Sequence, residues 1–438
     1  MIVALGIFFS GFMAPHELQN DGPEEPMERF KMYREAAGYA LAWGKYTSPT
    51  SMTLQPLLLY VEAEFLMNRS AQLTCYVLAG VCIRLMMKMG LHRDPSKLPN
   101  ISAFDGEMRR RMWSLVIQID LLVSFHMGLP SMISGIESDT VLPRNLLDTD
   151  FDEDSSELPL ARPPGDFTQM SYPIFKSTLC RVFGQIARQS HSLTTPSYAE
   201  VLRLDGLLEE KWKALPEFMH IKSLSDCIGD PAMLIIQRFG LSSLYHKSRC
   251  VLHRRYLLEP IPKQEHEYSR KRCLESALTL LNHQHTVYEA CQPGRILNLH
   301  GWFISALAVH DFLLASMIVY LVIRSETYSE VGGNYNWMMQ DTPTATKDEL
   351  RQILKRTYDV WSNVPKSDEI KKASDILATM LKKVGQPVGS VATVGQAPPT
   401  SVPSVATGAA SRSNPGAMAN LSLNGLFHSR PPKLESRG

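Results

Sequence analysis

Apolar residues recur three or four positions apart over most of the first 384 residues, the period of helices that bury one face. From about 27 to 48, Met27, Phe30, Tyr33, Ala37 and Leu41 follow this spacing, and Thr47 to Ser51, with Pro49, reads as a turn. A second helix is predicted over about 52–67 and a third over about 71–89, its face marked by Leu73, Val77, Gly80, Ile83 and Met87. Gly90 has the place of a C-terminal cap, and Pro95 follows it. Ser102, with an acid three residues later at Asp105, opens another helix, which runs to about Phe125 and stops at Gly128 and Pro130. Residues of about 129–170 have no such period. They are rich in Pro, Asp, Ser and Gly and read as a long irregular acidic loop. Helical spacing then returns to about 384, with no alternating strands and no fixed repeat. The prediction is an all-α fold, one large helical domain over 1–384. From 385 to 438 Gly, Pro, Ser, Ala, Val and Thr dominate. Such a segment buries too little apolar surface to offset its ordering entropy, so it is predicted to be a disordered tail.

Two apolar stretches invite other readings. Residues 1–14, MIVALGIFFSGFMA, lack the positive leading region of a signal peptide and are predicted to form a buried helix. Residues 301–323 are long enough to cross a bilayer. His310 and Asp311 stand near the middle of that stretch, and an Asp there costs about 2.5–3.5 kcal/mol on insertion scales. A central helix of a soluble bundle is apolar all round as well, so no membrane span is expected.

Composition narrows the function classes. The 438 residues are 44% hydrophobic and 20% charged, with a formal net charge of +1. Gripping DNA through phosphates would call for a basic excess, which the chain as a whole lacks. Seven scattered cysteines, Cys75, Cys82, Cys180, Cys227, Cys250, Cys273 and Cys291, read as reduced core thiols rather than a disulfide framework. There is no C-x2-C pair of the kind that holds zinc in sulfur sites. Asp148, Asp150 and Asp152 imitate the start of a calcium loop. Glu153 replaces the required Gly and Pro159 the closing Glu, so a solvated acidic loop is expected. Gly38 to Lys45 imitates a phosphate loop with the wrong length, and Tyr46 stands where Ser or Thr would bind magnesium. His283 and His285 would point to different helix faces. No nucleophile with its base is recognisable, so a catalytic role and a cofactor are not expected.

The stretch 52–152 carries the strongest signal. Leu54 to Tyr60 reads LQPLLLY. Arg84 precedes KMGLHRDP, with Gly90, Leu91, His92, Arg93 and Asp94. FDGEMRRRMW follows, with Glu107, Arg109, Arg110, Arg111 and Trp113; then come Asp120, Gly128 with Pro130, and LPRNLLDTD, which contains Pro143. Further along stand LHRRYL (Leu252–Leu257) and HDFLLA (His310–Ala315). In order and spacing these resemble the fungal-specific transcription factor domain, the middle regulatory region of fungal zinc-cluster transcription factors. The likeness covers about residues 1–325 and extends towards 384. Arg255 stands where the family pattern has proline.

The resemblance implies an all-α regulatory domain of a nuclear regulator of RNA polymerase II transcription, of the kind that controls metabolic or secondary-metabolite genes. The motif residues are expected to hold the fold, with Arg93, Asp94, Arg109, Arg110, Arg111 and Asp120 in charge pairs. Partners implied are a homo- or heterodimer with related factors, and a small-molecule effector. The family's DNA-reading zinc cluster and its basic linker have no counterpart in this sequence, which opens inside a middle-region helix. Zinc is therefore expected only with an upstream cysteine cluster, DNA contact only indirectly or through such a region, and no import signal is evident. The alternative is a ligand-sensing or partner-binding helical module that does not bind DNA.

Overall fold

In the computed structural model, residues 1–18, 22, 24–67, 72–259, 261–301, 309–325, 328, 345–364 and 368–385 are described. Among them there are α-helices and 3₁₀ turns and no strand. The helices are α1 (Ile2–Met13), α2 (Pro15–Leu18), α3 (Pro26–Trp43), α4 (Ser51–Met67), α5 (Gln72–Lys88), α6 (Ala103–Met127), α7 (Ser171–Ser190), α8 (Tyr198–Lys213), α9 (Ala232–His253), α10 (Glu267–Ala290), α11 (Val309–Arg324), α12 (Lys347–Asn363) and α13 (Asp368–Val384).

The predicted caps set the ends of the motif helices. Ser102 Oγ accepts from the Asp105 N–H at 3.0 Å and opens α6. At the end of α5, Gly90 takes φ +76°. Its N–H donates to Met87 O and that of Leu91 donates to Met86 O, the paired bonds of a Schellman cap. Gly128 ends α6 in the same way at φ +66°, with bonds to Phe125 O and Ser124 O. The long segment between α6 and α7 contains one 3₁₀ turn, Met132–Gly135, and no α-helix, as its composition predicts. It is firmly tied all the same. Asn145 Nδ2 donates to Pro163 O and Asp166 O at 3.0 Å each, and Asn145 Oδ1 accepts from Thr168 Oγ1 at 2.6 Å.

Each helix packs mainly on its neighbours in sequence. α1 lies on α3, and the chain continues through α4, α5, α6 and α7 to α9, with α8 against α7 and α9. α10 and α11 follow, and α12 and α13 close over them. Four apolar clusters result. The first joins α1 to Phe30 of α3 and Ala63 of α4. The second fills α3–α6 around Cys82, Ile83, Met86 and Trp113. The third lies among α6–α9 around Phe183, Leu208 and Leu241. The fourth unites α9–α13 around Phe239, Leu280, Phe312 and Trp361. α6 and α9 each serve two clusters, which joins the successive cores.

Several sequence expectations need correction. Leu73 and Val77 are exposed, at 58% and 44%, and the core face of α5 runs instead through Cys75, Ala79, Cys82, Ile83 and Met86. An apolar helix does not choose its own buried side; the partner does. On α3, Phe30 and Leu41 are buried as expected, but Met27 and Tyr33 are exposed. α1 buries one face only, through Ala4 and Ile7, and exposes Ile2 and Val3. Six cysteines are buried and the seventh, Cys291, half-buried, all unbridged. No helix among the described residues is long and apolar enough to cross a membrane. Residues 302–308 of the apolar 301–323 stretch, and 386–438 of the expected tail, lie outside the described residues.

Candidate functional site

The motif residues meet where the turn after α5 crosses the start of α6. Asp94 is the centre. Its Oδ1 accepts from Arg110 Nη2 at 2.8 Å, Ser96 N–H at 3.0 Å and Ser96 Oγ at 2.6 Å. Its Oδ2 accepts from Arg110 Nε at 3.0 Å and the Val141 N–H at 3.1 Å. Both side chains are buried, and the guanidinium of Arg110 holds the Asp94 carboxyl far below the ordinary carboxylate range.

One turn earlier, Glu107 is fully buried. Its Oε1 accepts from the Arg144 N–H at 3.0 Å and lies 3.5 Å from Arg111 Nε. Burial nevertheless pushes this carboxyl up, against the pull of the Arg144 N–H, Arg111 and Arg110. The two acids therefore differ because only Asp94 has a close forked partner. Arg111 also reaches Asp148 at 2.7 Å, and Arg162 binds Asp150 through Nε at 2.9 Å and Nη2 at 2.7 Å. The expected solvated acidic loop is thus pinned at two of its three acids. The remaining motif residues lace the segment after α6 onto the turn. Trp113 Nε1 donates to Ser138 Oγ at 2.9 Å, and Ser138 Oγ donates to His92 O at 2.8 Å. Thr140 Oγ1 donates to Leu91 O at 2.7 Å, and Pro143 is buried.

Arg93 pairs with Asp139 at 3.1 Å on the surface, as expected of a charge pair. Two others do not. Arg109 Nη1 donates to Met89 O at 3.0 Å and so satisfies a carbonyl at the α5 terminus. Asp120 accepts from Ser131 Oγ at 2.5 Å and the Ile133 N–H at 3.2 Å, which fixes the 3₁₀ turn after Pro130. Among the described residues no opposite charge lies within salt-bridge distance of Arg109 or Asp120, and they meet backbone and hydroxyl groups instead. Arg84 is exposed and donates to Gly80 O of its own helix at 3.2 Å, apart from the cluster.

Sequence reasoning missed a second buried constellation where α6, α9 and α11 cross. Lys247 is 1% exposed. Its ammonium lies 2.8 Å from Asp311 Oδ1 and 2.9 Å from His126 Nε2, with the rings of Phe125 and Phe183 5.1 and 5.3 Å away. Donation from Lys247 requires Nε2 to be an acceptor, so the imidazole is neutral. Burial, reinforced by Lys247, pushes His126 down to about 4. Against the burial that would raise it, Asp311 is pushed down to about 2, chiefly by the Lys247 ammonium. The HDFLLA match had singled out Asp311. Its partners are far away in sequence, and no spacing could have found them.

Beside this clamp the third and fourth clusters part to leave a cavity of about 560 Å³. Ile186 of α7, Leu252 of α9, and Leu314 and Ile318 of α11 line its apolar side. Ser192, Thr194 and Thr195 of the α7–α8 connection, with Arg254 and Arg255, line its polar side. Arg255, the departure from the family pattern, is exposed. The size is that of a small-molecule site. Among the described residues no group of three or more His, Cys, Asp or Glu side chains is placed to hold a metal ion.

Comparison with known proteins gives this architecture its context. Residues 1–218 match the family model described as the fungal specific transcription factor domain. The chain is 36% identical over 352 residues to the Zn(2)-C6 fungal-type transcription factor mpsB of Macrophomina phaseolina, covering 80% of this chain and 47% of that protein. It is 35% identical over 360 residues to the Zn(2)-C6 fungal-type transcription factor pigI of Monascus ruber, covering 82% and 44%. It is 34% identical over 348 residues to the pyrrolocin cluster transcription factor fsdR of a fungal species, covering 79% and 45%. The chain thus spans about half the length of the curated relatives it matches. No solved structure matches. With the ordered motif assembled around Asp94 and Arg110 and the family model matched from residue 1 to 218, this part of the chain belongs to the fungal specific transcription factor domain family.

Proposed function

We propose that this chain is the regulatory portion of a transcription regulator of the fungal zinc-cluster class, acting in the nucleus on RNA polymerase II transcription, and not an enzyme. The observation that carries the reading is the alignment of about four fifths of the chain with Zn(2)-C6 transcription factors at 34–36% identity. The name of the pyrrolocin cluster relative favours a secondary-metabolite gene set as the target. In this reading the Asp94–Arg110 clamp keeps the frame rigid, and DNA is reached through a separate zinc-cluster region or a related partner with which the chain dimerises. The cavity between α7, α9 and α11 favours an effector-responsive regulator over a passive spacer.

The test is to fuse the full chain to a bacterial DNA-binding domain and express it in a fungal host with the matching operator upstream of a reporter. Reporter output should change at least several-fold relative to the DNA-binding domain alone, with the fusion in the nucleus. Unchanged output from a folded, nuclear fusion would overturn the proposal.

A further inference from the structure

The cavity between α7, α9 and α11 is chemically lopsided. One side is aliphatic, from Ile186, Leu252, Leu314 and Ile318. The other carries hydroxyls and two guanidinium groups, and none of the lining residues is acidic. Most other arginines near a core in this protein are matched. Arg110 has Asp94, Arg249 has Asp205, and Arg238 has Asp230. Arg254 is half-buried and has no carboxylate within salt-bridge distance among the described residues. Gln189, also on the lining, has an amide nitrogen sealed from solvent with no hydrogen-bond partner among the described residues. The Gln189 amide nitrogen is thus a desolvated donor left uncompensated, and the half-buried Arg254 guanidinium stands beside the same apolar hollow without a carboxylate. α7 and α9 both end at this side of the cavity, and helix C-termini carry partial negative charge. A preference for anions must therefore come from the guanidinium groups, not from helix dipoles.

We infer that this cavity binds an amphipathic organic acid, its apolar body against α7, α9 and α11 and its carboxylate on Arg254. The seam it would fill is the boundary between the third and fourth apolar clusters, and Leu314 packs against both. Occupancy would therefore fix how the α9–α13 half sits on the α6–α9 half, which is how an effector would act in the proposed regulator. The inference takes its biological meaning from that proposal, but its test does not depend on it.

Decanoate, decan-1-ol and decylammonium share one chain and differ in the head group. Each is titrated calorimetrically into the full chain at neutral pH. Decanoate should bind one to one and at least tenfold tighter than either control, about 1.4 kcal/mol. Arg254→Gln should bring decanoate to the affinity of the alcohol. Met317→Trp, at a partly exposed position on the cavity wall, should block all three without disturbing the fold as read by circular dichroism. Equal affinity for the three probes, no binding of decanoate, or decanoate binding that both folded variants leave unchanged would each overturn the inference. Binding retained in a chain that fails the reporter test would remove the regulatory reading and leave the site.

Discussion

At the scale of single residues, the protein places its strongest interactions where the sequence motif is densest. Asp94 collects five donor contacts, two of them from one guanidinium. Removing one side of a buried forked pair strands the other charge, which costs about 3–5 kcal/mol. Asp94→Ala should therefore lower stability by about that amount, read from the urea midpoint, whereas Arg93→Ala on the surface Asp139 pair should leave the midpoint nearly unchanged. Equal losses would show that burial does not set the strength of these pairs.

His126 gives a pH signature. Its folded value lies near 4, against an ordinary 6.5, so between those values the unfolded chain binds a proton that the folded chain refuses. Stability is therefore fully present above about 6.5 and is lost as pH falls towards 4, by up to about 1.4 kcal/mol per pH unit for such a group. His246, held near 3, and His283, held near 4, act in the same direction, because burial disfavours their charged forms too. The expected result is a melting temperature that falls steadily from pH 6.5 to 4.5. His126→Gln, which keeps an acceptor for Lys247, should make that fall shallower by one proton's worth. A slope unaltered in the variant would mean that His126 is not held neutral.

At the scale of elements, the helix ends are the parts that sequence specified best. Gly90 and Gly128 stand where the sequence predicts helix stops, and both adopt the left-handed backbone of a Schellman cap. A side chain there is strained even though nothing crowds Gly128. Gly128→Ala should cost about 1 kcal/mol by thermal unfolding. At Gly184 of α7 the obstacle is different, since an added Cβ would meet Leu121 Cδ2 of α6 at 3.1 Å. Gly184→Val should push these helices apart and cost about 1–3 kcal/mol by the same measurement. A neutral result there would show that α6 and α7 have slack between them. Helix faces are less legible in the sequence. α5 has apolar residues on both sides, so Leu73 and Val77 looked as eligible for the core as Cys75 and Cys82 until α4 and α6 took one side.

At the scale of the whole molecule, the family match and the physical core do not end together. The match stops at residue 218, but the third apolar cluster needs Leu234, Leu241, Leu244 and Tyr245 of α9 to cover α7 and α8. A chain cut after 218 should therefore expose that face and aggregate, while one cut after 385 should stay monodisperse by size-exclusion chromatography. A monodisperse, cooperatively unfolding 1–218 fragment would show that the first half closes its own core.

The sequence by itself determined what depends on neighbours along the chain: the all-α class, the helix caps, the irregular segment after α6, and the ordered motif that identifies the family. Those signals are local because capping, period and turn chemistry act over a few residues. Tertiary structure alone decided that Arg110 would take Asp94 while Arg109 took a backbone carbonyl, and that Lys247, Asp311 and His126 would share one buried site. It also decided that the α7–α9–α11 seam would open into a cavity beside Arg254. Each of these depends on which helix faces meet. Charge and apolar side chains act at distances of a few ångströms in space, whatever their separation in sequence, and only packing brings residues from α6, α9 and α11 that close.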